Sequence, residues 1–215
     1  MLYETMMVVV ILAGLVILGS SRIRMYIRMA ALQGVVLGFL PLALERSLPA
    51  ARTALLMAVA IVLKGVVFPW LFTRAMREMS VKRERSPIGG YSGAIIFGIL
   101  AFILSLWLSN KWVLHPSLAG RTPEIAVPAA LFTVLTGVYV IMTRKKALSQ
   151  AIGYLVMENG VWIFGLSLAG EIPVLVELGM LLDVFVAVFV MGIATLKLQR
   201  GFGHMDADRL NELKG

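Results

Sequence analysis

Of the 215 residues, 60% are hydrophobic and only 15% charged, and the formal net charge is +8. So apolar a chain cannot clothe a soluble domain in polar surface, so the excess must face lipid or other apolar protein. Cysteine is absent and the two histidines, His115 and His204, lie far apart, which excludes disulfides, thiolate chemistry, cysteine-held iron–sulfur clusters and a self-contained metal site.

Apolar runs of roughly 17–25 residues are long enough to cross a bilayer. In chain order they fall at about Leu2–Ser20, Met29–Leu44, Thr53–Phe72, Ile88–Leu108, Ile125–Thr143, Ser149–Leu168 and Ile172–Leu196. The pattern predicts an all-α integral membrane protein of about seven transmembrane helices. The first run lacks a basic leader and carries Glu4 instead, so it reads as an uncleaved anchor and not a signal peptide. Most of the basic residues fall on one side of these runs: Arg22, Arg24 and Arg28; the cluster from Arg74 to Arg85; Arg144, Lys145 and Lys146; and the C-terminal tail. Arg46, Arg52, Lys111 and Arg121 fall on the other. Cationic segments stay in the cytoplasm, so the N-terminus is expected outside and the C-terminus inside. Basic residues spaced this way report membrane topology and not a nucleic-acid groove, so no nucleic acid is expected as a partner.

Four ionisable residues stand within the predicted spans: Lys64 in the third, Glu158 in the sixth, and Glu177 and Asp183 in the seventh. A charge at membrane depth costs on the order of 2.5–3.5 kcal/mol on insertion scales, so several together point to a role beyond packing. At about 1.5 Å of rise per residue, Lys64 and Glu158 both lie about 13 Å from the inner face. On the same scale Asp183 lies about 20 Å from that face and Glu177 about 30 Å. This spacing suits a stepwise proton relay. Burial disfavours the charged form of each group and an opposite charge favours it, so a Lys64–Glu158 couple could exchange a proton without stranding two charges in lipid. The alternative is a static ion pair that only fixes helix packing, and Glu177, near the outer boundary, can simply reach water. Gln33 is expected to bond a neighbouring helix, Pro69 to open the backbone near Lys64, and Gly153 and Gly160 to permit close helix approach.

Four segments together carry a resemblance: KGVVFP (Lys64–Pro69), GYLVMENG (Gly153–Gly160), VELGMLLDVFVAVFVMGI (Val176–Ile193) and DADRLNELKG (Asp206–Gly215). In this order they closely resemble the hydrogenase-4 component E family, membrane subunits of group-four nickel–iron hydrogenases that include formate hydrogenlyases. The likeness covers essentially the whole chain. The family's C-terminal helices are in turn similar to the K subunit of respiratory complex I and the C subunit of Mrp-type antiporters. With the glycines aligned, the K-subunit glutamate falls on Leu155, and Glu158 lies one turn later on much the same face; Asp183 takes the position of the second acid.

The resemblance implies three parts: a four-helix membrane segment over 1–124, a three-helix K-subunit-like segment over 125–200, and a cytoplasmic tail over 201–215. It implies a place in the cytoplasmic membrane of a prokaryote. The implied partners are antiporter-like and H-subunit-like membrane subunits and a cytoplasmic hydrogenase arm. The nickel–iron (NiFe) centre and the iron–sulfur clusters would belong to those partners, with no cofactor and no active site in this chain. The expected function is proton translocation coupled to hydrogen evolution. Two readings compete with it: a structural assembly subunit of the same membrane arm, and an independent small-solute transporter, for which the chain shows no internal repeat.

Overall fold

The computed structural model describes residues 2–44, 51–78, 90–113 and 125–169, together with residues 186, 188, 190 and 192. Among them the chain is helical throughout its elements, without a strand. The order is α1 (Leu2–Gly19), α2 (Ile23–Gly38), α3 (Leu40–Leu44), α4 (Ala51–Val62), a π-helical turn (Leu63–Val67), α5 (Phe68–Glu78), α6 (Gly90–Val113), α7 (Ala126–Thr143) and α8 (Ala147–Ala169). By length and composition alone, the stretches Leu2–Gly19, Met57–Arg77, Gly90–Lys111 and Ala126–Thr143 can each cross a membrane. The protein is an all-α membrane protein. The seventh predicted span, with Glu177 and Asp183, lies outside the described residues except at positions 186, 188, 190 and 192, all helical.

Two spans depart from the boundaries expected of them. The second begins at Ile23, not Met29, because Arg24 and Arg28 lie on the exposed side of α2 while Ile23, Tyr26 and Ile27 are buried. Arginines so placed leave the helix intact. The same span breaks after Gly38, since Pro41 has no N–H and its ring would collide with the carbonyl of Leu37 in a continuous helix; the Phe39 N–H turns instead to the Val36 carbonyl at 3.2 Å. The third span runs on to Glu78 but widens at Leu63–Val67, where the Phe68 N–H donates to the Leu63 carbonyl five residues back. Pro69 supplies the cause, since its ring crowds the carbonyl of Gly65 four residues earlier and forces the turn open.

The buried apolar residues form two clusters, one towards each end of the bundle. Towards the end that bears Arg24, Arg28, Arg74 and Arg77 lie Ile17, Tyr26, Phe72, Ile152 and Val156; towards the other end lie Met7, Leu37, Phe132, Trp162 and Ile163. Between them, on α2, α7 and α8, stand the buried polar residues Gln33, Thr133, Thr136, Glu158 and Asn159. Helices α7 and α8 meet backbone to backbone. A methyl group on Gly160 would lie 2.6 Å from the Val134 nitrogen and 2.8 Å from the Ala130 oxygen, and one on Gly153 would lie 3.1 Å from the Gly137 oxygen. Small residues allow such contact, and in lipid close packing is a main source of helix affinity. Gly160→Ala should therefore cost about 1–3 kcal/mol by overpacking. Gly93→Ala, where nothing lies within 4 Å, is expected to be neutral. Denaturation of both variants in detergent checks this, and equal midpoints would refute the close-contact argument.

Arg144, counted by the sequence among the inner-segment cations, is 2% exposed at the turn between α7 and α8. Its Nη2 donates to the Leu18 carbonyl at 3.1 Å, and its guanidinium carbon lies 5.3 Å from the Tyr26 ring centroid and 5.8 Å from that of Tyr91. A cation at the C-terminal carbonyls of α1 is favourably placed against the helix dipole. This one side chain joins α1, α2 and α6 to the α7–α8 hairpin.

Candidate functional site: a buried lysine–glutamate pair

The π-helical turn presents Lys64 to α8. Its Nζ lies 2.7 Å from Glu158 Oε1 and donates to Asn159 Oδ1 at 3.1 Å. The lysine side chain is 13% exposed and the glutamate 4%. Two residues that similar depth suggested could meet are thus in contact across 94 positions of sequence. Glu158 Oε2 is buried with no hydrogen-bond partner. Half of the carboxylate is therefore committed to the ammonium, and half is available to accept a proton or a water. A buried ion pair is rarely a net source of stability, because desolvation offsets most of its attraction.

The surroundings explain how Lys64 reaches this position. Gly34 of α2 faces it, and a methyl group there would lie 2.6 Å from Lys64 Cβ and 3.0 Å from Cδ. The stem of the lysine runs through the space that the missing side chain leaves. Gly34→Ala should push the helices apart and destabilise the fold by about 1–3 kcal/mol. Thermal unfolding in detergent reads this directly, and an unchanged Tm would show that the stem has room to move. On the far side, the Trp162 ring centroid lies 6.0 Å from Nζ. The adjacent Gln33 turns away to α1 and donates from Nε2 to the Val10 carbonyl at 3.0 Å, the cross-helix bond its sequence position suggested.

A cavity of about 20 Å³ adjoins the lysine of the pair, bounded by Lys64 and Asn159 and by Ile27, Pro69, Phe72 and Ile152 towards the arginine-bearing end; Glu158 does not line it. A space of roughly 10–15 Å³ suffices for one water. The widened backbone at Pro69 thus forms a wall of the cavity as well as the turn that aims the lysine. A carboxylate, an ammonium and an amide held together, with room for water beside the last two, are groups of the kind between which a proton can pass.

Sequence reasoning did not single out Asn159 or Gly34. Asn159 has a visible signal, since an amide inside an apolar helix is costly unless bonded. Glu177 and Asp183 lie outside the described residues, so their relation to the pair is not part of this geometry.

No family model matches the chain, and no solved structure matches it. An uncharacterized protein of Mycobacterium tuberculosis is 34% identical over 210 residues, covering 95% of this chain and 92% of that protein. Hydrogenase-4 component E of Escherichia coli (strain K12) is 30% identical over 215 residues, covering 97% of this chain and 98% of the relative, and the Shigella flexneri protein of that name matches equally.

Proposed function

The chain belongs to the hydrogenase-4 component E family, and from that premise we propose that it is a membrane subunit of a group-four nickel–iron hydrogenase complex that moves protons through the Lys64–Glu158 pair. The observation that carries this reading is the contact of 2.7 Å between Nζ and Oε1 inside an apolar bundle, with Oε2 unspent and a water-sized cavity alongside. Ionisable groups within a bilayer mark ion and proton paths by default. In this proposal a proton enters from the arginine-bearing end by way of the cavity, and Lys64 and Glu158 exchange it. Asp183 and Glu177 continue the path towards the other side.

The same reading sets the arginine-bearing end in the cytoplasm of a prokaryote and the N-terminus outside the cytoplasmic membrane. Antiporter-like and H-subunit-like membrane subunits and a cytoplasmic hydrogenase arm are the proposed partners. The metal chemistry of hydrogen evolution would be housed there, because this chain has no cysteine to hold an iron–sulfur cluster or the nickel–iron centre.

A second reading, in which the chain only assembles the membrane arm, draws support from the same pair, since Lys64 and Glu158 join distant helices. Hydrogen evolution and membrane potential measured together in a Glu158→Gln strain separate the two. Evolution without potential, in an assembled complex, is the result expected of a proton path; loss of the complex itself would favour assembly.

A further inference from the structure

The Lys64–Glu158 pair has different surroundings towards its two ends. The cavity beside the lysine is bounded by Ile27 and Ala31 of α2, Pro69 and Phe72 of α5, and Ile152 and Leu155 of α8. The α2 and α8 residues precede Gly34 and Glu158 in the chain, and the α5 residues follow Lys64. This room for water therefore runs from the lysine towards the arginine-bearing end.

Trp162 stands on the opposite side. It follows Glu158 by four residues, about 6 Å further along much the same face of α8. Its ring centroid lies 6.0 Å from Lys64 Nζ. The side chain is 8% exposed and belongs to one buried cluster with Met7, Leu37, Phe132 and Ile163. Among the described residues, the way from the pair to that end thus begins with a layer of apolar and aromatic side chains. Constrictions of this kind close a path by excluding water.

One part of this layer is poorly satisfied by its own dryness. The Trp162 Nε1 is buried with no hydrogen-bond partner, as are Thr136 Oγ1 and Gln33 Oε1 of the polar layer. A buried indole N–H ordinarily finds an acceptor, and leaving it without one is costly. A donor, a carbonyl acceptor and a hydroxyl that does both are together suited to water; a metal cation engages acceptors only.

We propose that Trp162 is a gate on the proton path, an inference that rests on the reading of the pair as part of that path. Its ring seals the pair from the end opposite the arginines, and the seal opens when the ring moves and water reaches the indole N–H. A pump cannot hold its site open to both sides at once, because continuous water through the bundle would discharge the gradient. Room for water on one side and a buried ring on the other match one half of such a cycle.

The test uses the full chain reconstituted in vesicles with a pH-sensitive dye inside, under an imposed potassium diffusion potential and without hydrogenase turnover. Wild-type vesicles should hold their internal pH. Trp162→Ala should leak protons at least ten-fold faster, while Trp162→Phe, which keeps a ring in place, should stay close to wild type. A Trp162→Ala leak no faster than wild type, or one that releases the dye as well, would overturn the proposal. Adding Glu158→Gln to Trp162→Ala separates the gate from the reading beneath it. A leak that stops puts the pair on the path; a leak that persists keeps Trp162 as the seal and removes Glu158 from the path. If Trp162→Ala does not fold, the wild-type chain decides by indole hydrogen exchange in nitrogen-15 NMR, with the Trp162 signal identified by its loss in Trp162→Phe. Its N–H should exchange at least a hundred-fold more slowly than that of Trp107, which is 54% exposed. Equal rates would put water at the ring in this state and overturn the gate.

Discussion

Replacing Lys64 by methionine is expected to destabilise the bundle by about 3–5 kcal/mol, the usual cost of removing one partner from a buried ion pair. Methionine fills much of the stem's volume alongside Gly34, so little of the loss should come from a cavity. Most of it should come from Glu158, left at 4% exposure without the ammonium it pairs with. The double variant Lys64→Met/Glu158→Gln should recover more than half, because a neutral amide costs far less to bury than a lone carboxylate. Detergent denaturation of the two single variants and the double variant closes the thermodynamic cycle. If the destabilisation of the double variant equalled the sum of the two single ones, the pair would carry no coupling, and the contact of 2.7 Å would have no energetic meaning.

Glu158→Gln probes the same contact for function. Glutamine has nearly the same shape as glutamate, and its carbonyl oxygen can still accept from Lys64 Nζ. The complex should therefore assemble and go on evolving hydrogen. What the amide cannot do is bind and release a proton at this position. The rate of proton transfer at this position should fall at least ten-fold, about 1.4 kcal/mol or more in the barrier to transfer, and the membrane potential generated per hydrogen evolved should fall with it. A potential per hydrogen equal to wild type, in a complex of normal abundance, would remove Glu158 from the path. Asn159→Ala makes a useful companion, because it withdraws one acceptor from Lys64 and leaves the titratable groups in place.

Much of the helical layout could be read from apolar runs because lipid permits few alternatives: a backbone surrounded by hydrocarbon must satisfy its own hydrogen bonds. Errors arose where a single residue type was given a fixed meaning. Arginine was taken to end a span, which placed the start of the second helix at Met29, whereas Arg24 and Arg28 sit on an exposed stripe of a helix already begun at Ile23. Nor does a count of cations by side show burial: Arg144 is 2% exposed, near the Tyr26 and Tyr91 rings. Pro69 did forecast an opened backbone, since the absence of its N–H is local information. The band of Gln33, Thr133, Thr136, Glu158 and Asn159 between two apolar clusters was harder to see. Its members are one or two polar residues in each of α2, α7 and α8, and they form a layer only when these helices stand side by side.

The partners Lys64 and Glu158 are 94 residues apart in the chain. During synthesis the third helix therefore reaches the bilayer with its ammonium before the carboxylate that will neutralise it has been made. An isolated lysine is tolerated poorly at that depth, so the ribosome-bound intermediate has a reason to linger beside the insertion machinery. Its neutralisation waits until α8, 94 residues further on, has been made.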